Sequence, residues 1–505
     1  MNVNNNDSKN SMMTEQSVKK LTFLDKAFWL TETNNNPKHV ASLQILELPK
    51  NADKDYVSQL FSELRSFATG VSPFNCRVQS FLTYPIKLIP LDSLDMEYHV
   101  QHHLLDDVSD RESLHKKAAK LHEERLDPKK PLWQFHVIES KKGNEFSLYI
   151  KIHHMLGDGA TLVRWLQAAY TEQVNSEKFI PIWAKETPRG KKKSHQNSSN
   201  KLFDFFKNLF SFILATKDFI WILIRVLFKL LRINRHYMPV PFTGTKTILT
   251  GQVKKGRVVT TLDLPFDRVK ALSKRLRASV NEILLCSFDI GIHRFLSELG
   301  QSFDKPLFTN MPINLRKPGD TSGGNMIAIV PVELAHGKKD PYLRLRRIIE
   351  NHRIVIKAAK RSRPGAFAYY TVFIQSFALI YELLHLSSVV NPIANILISN
   401  VPGPRNEMYF KDSTLKSIYP ISTITAGGGV NITLMTYNNI ANVGIVCCDK
   451  DIKSLDPLAN YFKEAFEILE KSVEDYELNI DDIGENLKDE NRSDVVVESS
   501  YSKQN

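Results

Sequence analysis

The sequence predicts an α/β fold of two lobes with a cleft between them, and three observations lead there. Two stretches, residues 21–185 and 246–480, each mix strand-like and helix-like apolar patterns. Each also contains two apolar runs flanking a short polar turn, the pattern of a β-hairpin. Between them the chain changes character, becoming a basic linker followed by one long, apolar, cationic helix. The 505 residues suit two to four domains, or one large two-lobed enzyme. With 42% hydrophobic and 24% charged residues, and only 21 Gly and 23 Pro, collagen, coiled coil and wholesale disorder are excluded.

The elements follow in order. Residues 1–20 hold no apolar core and read as a disordered polar tail, not a signal peptide. HVASLQILEL (39–48) is expected as a strand and KDYVSQLFSELRSF (54–67) as an amphipathic helix. WQFHVIE and EFSLYIKIHH then flank KKGN, whose Gly143 marks a hairpin turn.

Residues 186–245 open with the basic, polar RGKKKSHQNSSN and continue as amphipathic crossover helix. Lys201, Lys207, Lys217, Arg225, Lys229, Arg232 and Arg235 interrupt its apolar surface, and only Asp204 and Asp218 oppose them. Such a helix fits an anionic membrane interface, one face in lipid and the other against phosphates. It fits equally an interdomain helix packed on the core.

In the C-terminal stretch, RVVTTLDLP is expected as a strand, and DRVKALSKRL as a helix with Val269, Leu272 and Leu276 on one face. VNITLMTY and IANVGIVCC flank Asn438-Asn439 as a second hairpin. PLANYFKEAFEILEKSVED is an amphipathic helix, and residues 481–505 read as a disordered tail.

The 67 basic and 55 acidic residues leave a net charge of +12, which favours an anionic partner without choosing among nucleic acid, an acidic membrane and a phosphate-bearing substrate. Cys76, Cys286, Cys447 and Cys448 are too few and too scattered for a disulfide framework, so a reducing, cytoplasmic setting is expected. No CxxC pair offers a metal clip. No run of about 18 uncharged apolar residues occurs, so no transmembrane helix is expected.

The residues with most chemical content are His153-His154-Met155-Leu156-Gly157-Asp158-Gly159, at the end of the second hairpin strand. Alternation places Phe146, Leu148, Ile150 and Ile152 on one face, and parity puts His154 with them. His153 falls with Ser147, Tyr149 and Lys151 on the more polar face. A buried histidine held neutral near pH 7 is a good general base. Asp158 can orient the imidazole or hold the turn, and Gly159 allows close backbone approach. A core histidine beside a capped turn would leave the same parity.

This pattern resembles that of the bacterial wax ester synthase/acyl-CoA:diacylglycerol acyltransferases, within the wider chloramphenicol-acetyltransferase-like fold. LTFLDKAFWL (21–30) is similar to the family's opening segment, and LDPKKPLWQFHVIE contains its Pro131-Leu132-Trp133 element. HHMLGDG is similar to its active-site motif. SVNEILL (279–285), PINLR (312–316), Gly324-Asn325, ISNVPGP (398–404) and the strand containing Asn431 follow in the family's order.

The resemblance implies a two-lobed, CoA-dependent acyltransferase with mixed sheets and a long helical crossover. It implies that His154 removes the proton of an alcohol attacking the thioester of a long-chain acyl-CoA, with His153 auxiliary and Asp158 supporting the loop. The acceptor is diacylglycerol or a long-chain alcohol, giving triacylglycerol, wax ester or both. Acyl-CoA is a substrate, no cofactor, metal or nucleic acid is needed, and the protein is expected at a membrane or lipid-droplet surface.

One departure from the family stands at Asn281-Glu282, where Asn-Asp is usual. Ser279-x-x-Glu282 is also a capping box, so Glu282 reads as a helix-start residue. Asn281 then stays a candidate for stabilising the oxyanion or shaping the site. Pro131, Leu132 and Trp133 read as core at a strand start or as part of an acyl tunnel. Asn400, Pro402, Gly403 and Pro404 read as a rigid turn shaping the cleft. The AFAYYTVFIQSFALIYELL stretch (366–384) offers apolar bulk for a tunnel wall or for ordinary core. His102-His103-Leu104-Leu105-Asp106-Asp107 imitates the active-site motif without its glycine and is expected on a solvated segment. Cys286 reads as core. A condensation enzyme acting on carrier-protein thioesters shares the histidine motif and is the alternative. A non-catalytic lipid-surface protein is a third reading, opposed by the intact His154 and Asp158.

Overall fold

The computed structural model describes residues 21–174, 179–185, 201–233, 238–314, 327–337, 340–361, 364–425, 427–448 and 452–474. The expected tails, most of the basic linker, and Gly324-Asn325 lie outside them.

The N-terminal lobe begins with α1 (Phe23–Leu30), β1 (His39–Glu47), α2 (Tyr56–Ser66), β2 (Cys76–Phe81) and β3 (Tyr84–Pro90). It continues with α3 (Met96–His99), β4 (Val100–Asp107), α4 (Arg111–Glu123), β5 (Trp133–Lys142), β6 (Glu145–His153) and α5 (Gly159–Ala169). The crossover is one helix, α6 (Lys201–Leu230). Beyond it come β7 (Arg257–Pro265), α7 (Phe266–Arg275), α8 (Val280–Glu298), β8 (Phe308–Asn314), β9 (Ile327–Glu333), α9 (Pro341–Arg361) and α10 (Pro364–Leu383). Last are β10 (Ile396–Pro402), β11 (Tyr409–Phe410), β12 (Ser413–Ile421), β13 (Val430–Tyr437), β14 (Ile440–Cys448) and α11 (Asp456–Glu474).

Local chemistry explains most of these elements. The period-2 runs of β5 and β6 pair antiparallel about Gly143, whose φ of 84° suits a residue without Cβ. The β13–β14 turn puts Asn438 and Asn439 at φ 42° and 62°, the left-handed pair that a two-residue hairpin loop requires. Helix α2 buries Val57, Leu60 and Leu64, one stripe of a 3.6-residue period. The Ser279–Glu282 capping box starts α8, and Cys286 lies buried within that helix.

Two mixed six-stranded sheets carry the lobes. The first has the order β11-β12-β1-β6-β5-β4 and the second β7-β14-β13-β10-β8-β9. The sequence division at 246–480 therefore needs correction, because β11 and β12 leave the second lobe and complete the first sheet. Strand β12 pairs antiparallel with β1, Ala41 opposite Ile421, closing an edge that β1 would otherwise expose. Periodicity reports that a segment is a strand, not which sheet it joins.

Each lobe has its own apolar core, and a third cluster joins them through Leu43, Ile45, Tyr149, Val259, Tyr419 and Val446. The sheets approach so closely there that a Cβ on Gly444 would sit 2.0 Å from the Pro420 carbonyl oxygen. Gly444→Ala is expected to cost about 2–3 kcal/mol by forcing two backbones apart. Thermal unfolding checks this, and an unchanged midpoint would contradict the sheet contact.

Helix α6 packs on α10, burying Ala215 and Ile222, with Phe219 edge-on to Phe373 at 5.8 Å. Its outer face nevertheless exposes Ile213, Ile220, Trp221, Leu227 and Phe228. One face of the crossover helix therefore belongs to the core, as the packing reading expects, and the other lies at the surface. Helix α10 is divided in the same way, Phe367, Tyr370 and Ile374 buried, Phe377 and Ile380 exposed. Among the described residues no helix is long and apolar enough to cross a membrane.

Candidate active site

The histidine loop is fixed by backbone first. Strand β6 lies between β1 and β5, and both of its faces are packed, Phe146, Leu148, Ile150 and Ile152 into one core and Tyr149 into another. The parity assignment fails here. Lys151 and His153 are as buried as Ile150 and Ile152, and His154, beyond the strand's last residue, keeps some exposure. Alternation sorts inside from outside only where one face meets water.

At the strand end, the His153 amide donates to the Leu132 carbonyl at 2.9 Å and the His154 amide to the Lys38 carbonyl at 2.8 Å. The chain then turns sharply, the Leu156 amide donating to the His153 carbonyl at 3.0 Å. Asp158 closes the turn as N-cap of α5, its carboxylate accepting from the Thr161 amide at 3.0 Å and the Thr161 hydroxyl at 2.8 Å. A Cβ on Gly159 would press on Val401 Cγ2 at 3.0 Å, so the helix start lies directly against β10 of the other lobe.

The His154 imidazole stacks on Phe28 of α1, ring centroids 4.1 Å apart. Burial pushes its pKa below the ordinary 6.5, while a hydrogen bond to its own backbone and the Asp158 charge act in the other direction. The ring is thus neutral near pH 7, the state a base needs. If it is the base, the acid limb of kcat/KM is expected below pH 6.5, because protonation that removes the base is shifted downward. A pH–rate profile with its acid midpoint above 6.5 would contradict this.

The other expected residues distribute as follows. Trp133 is buried, donates to the Phe74 carbonyl at 2.8 Å and stacks on Trp183 at 4.9 Å. Pro131 and Leu132 are buried beside it, and Leu132 adds the backbone acceptor for His153. Asn400 and Pro402 do not form a turn: both belong to β10, parallel to β13, and the chain bends only beyond Pro404, at Arg405-Asn406. The parallel pairing extends the strand further than its proline suggests. The Asn400 amide donates to Asn281 Oδ1 at 2.7 Å, joining the end of β10 to the first turn of α8. The Gly159–Val401 contact brings the start of α5, which Asp158 caps, against the strand that carries Asn400. Pro404 instead lines a small apolar pocket along α5 with Val163, Leu166, Tyr170, Met408 and Met435.

His102 and His103 are on a solvated segment as expected, an edge strand in which none of residues 102–107 is buried. They lie in β4, parallel to β5, His102 bonded to Glu139 at 2.7 Å and His103 to His136 at 3.0 Å. Among the described residues no group of His, Cys, Asp and Glu could hold a metal ion.

Sequence reasoning assigned no role to Phe28, Glu32, Lys38 or Arg125. Glu32 is buried, 3.5 Å from His153 Nε2 and 2.8 Å from Arg125 Nε. Burial raises its pKa, but His153 and Arg125 more than offset that and hold the carboxyl at about 2. The one signal was a carboxylate directly after the apolar opening segment.

A family model described as the wax ester synthase/diacylglycerol acyltransferase catalytic domain matches residues 21–284, and one for the C-terminal domain matches 323–470. The O-acyltransferase WSD of Acinetobacter baylyi is 26% identical over 456 residues, 88% of this chain and 96% of its own length. The structure of the wax ester synthase/diacylglycerol acyltransferase from Marinobacter aquaeolei VT8 aligns with a TM-score of 0.67 at 22% identity, covering 90% of this chain and 99% of that one. The first condensation domain of the calcium-dependent antibiotic synthetase aligns at 0.59 and 13% identity, covering 92% and 98%. Those two structural likenesses establish a shared fold.

Proposed function

The chain belongs to the wax ester synthase/diacylglycerol acyltransferase family, and from that premise we infer that it is an acyl-CoA-dependent O-acyltransferase acting on diacylglycerol, a long-chain alcohol, or both. One observation carries the mechanism: His154 stands at the end of β6 with its backbone amide held by the Lys38 carbonyl, and burial favours the neutral form of its ring. His154 takes the proton of the acceptor hydroxyl as its oxygen attacks the thioester carbonyl. A C–O bond forms, the tetrahedral oxyanion collapses, the C–S bond breaks, and the proton passes to the departing CoA thiolate. With Asn281 Oδ1 occupied by Asn400, the Asn281 NH2 is the group left to donate to the oxyanion. The two lobes would bind the two substrates from opposite sides of the cleft.

Purified protein with labelled palmitoyl-CoA and equal diacylglycerol and hexadecanol tests the assignment. Labelled triacylglycerol or wax ester supports it, and the ratio gives the acceptor preference. Folded protein that yields no labelled neutral lipid would overturn it.

The outer face of α6 is the proposed contact with a membrane or lipid-droplet surface. Trp221 and Leu227 are about half exposed there, and Arg225 lies over the Trp221 ring at 5.5 Å, a cation within reach of lipid phosphates. Trp221→Glu with Leu227→Glu is expected to abolish flotation with anionic vesicles while leaving transfer to a short, soluble alcohol unchanged. Full flotation of the double variant would remove α6 from the contact.

A further inference from the structure

The active-site loop is held by a residue far from it in sequence. His153 is fully buried, and its Nδ1 accepts from the Met155 amide at 3.1 Å. A backbone amide only donates, so Nδ1 is the bare nitrogen and the ring proton sits on Nε2. That Nε2 faces Glu32 Oε1 at 3.5 Å. The same oxygen accepts from the Lys38 amide at 3.2 Å, and Lys38 in turn supplies the carbonyl that holds the His154 amide. Glu32 Oε2 takes the Arg125 guanidinium at 2.8 Å. One carboxylate therefore faces three donors from three segments, and two of those lead directly to the paired histidines. Phe28 and Trp29, on the helix just before it, lie against His154 and His153.

We propose that Glu32 is a positioning residue for acyl transfer: it fixes His153 as the Nε2–H tautomer and, through Lys38, sets where His154 points. This inference rests on the reading of His154 as the base. A glutamine in its place keeps the shape but puts an NH2 against one of the donors, since a carboxylate only accepts and an amide does both. The loop then shifts without any change in the substrate pockets, and a displacement on the order of 1 Å at a reacting group costs up to roughly 100-fold.

The test measures kcat and KM for acyl-CoA and acceptor in Glu32→Gln, His153→Gln and the double variant, with His154→Ala alongside. The expected result is a fall in kcat of about 10- to 100-fold in Glu32→Gln, with both KM values within two-fold. The double variant is expected to lose less than the product of the two single losses, because part of what Glu32 does passes through His153. Glu32→Gln retaining full kcat, or losses that multiply in the double variant, would overturn the proposal. Should Glu32→Gln fail to fold, ¹⁵N-histidine spectra of the wild-type protein, assigned with His153→Gln, decide: a proton on Nδ1 of His153 overturns it, and one on Nε2 supports it. An active His154→Ala would defeat the underlying mechanism, whereas an inactive one beside a fully active Glu32→Gln would defeat this inference alone.

Discussion

His154→Ala is expected to lower kcat by about 10²- to 10⁴-fold, with little change in melting temperature. The magnitude is that of a general base removed from a site where binding is left intact. The ring is partly exposed at the end of β6, where the loop is held chiefly by backbone bonds to Lys38 and Leu132 and by the Asp158 cap. An alanine keeps all of those, losing from the fold mainly the stacking contact with Phe28. Steady-state kinetics beside thermal unfolding separate the outcomes. A variant that loses activity only in proportion to lost folded protein would assign His154 to structure.

Asp158→Ala is expected to act on both quantities. It removes the side-chain acceptor from the Thr161 amide and hydroxyl at a buried helix start, a cost of about 1–2 kcal/mol. It also loosens the turn carrying His154, and a fall in kcat of up to roughly 100-fold is expected. Asparagine is as good an N-cap as aspartate, so Asp158→Asn should restore most of the stability. It does not restore the negative charge, which raises the His154 pKa. The acid limb of the pH–rate profile is therefore expected to move lower in Asp158→Asn than in the wild type. Equal limbs would show that Asp158 caps the helix and does not act electrostatically on the ring.

Much of the fold was legible because the responsible forces are local. Gly143 and the Asn438-Asn439 pair announce their hairpins by backbone chemistry, and Ser279 with Glu282 announces the start of α8. The passage of β12 into the first sheet was not legible, since its pairing partner β1 lies more than 350 residues earlier. Parity misplaced the two histidines for a different reason: β6 packs core on both of its faces, and alternation does not separate buried from exposed once both faces are dry. The active-site loop could be found from its residues, but the groups around it could not. Glu32, Lys38 and Phe28 reach it only because β1 pairs with β6, setting His39 opposite His153. The rigid turn expected at Asn400–Pro402 failed as well, because parallel pairing with β13 imposes a strand on a sequence whose local preference is to bend.

The most direct test of His154 as a base compares two acceptors of equal length, hexadecanol and hexadecanethiol, in wild type and His154→Ala. A thiol is far more acidic than an alcohol and ionises without help at high pH, so it has less need of a base. The defect of His154→Ala is expected to be large with the alcohol at every pH, and to shrink steadily with the thiol as pH rises. A defect of the same size with both acceptors across the pH range would mean that His154 shapes the site without moving a proton.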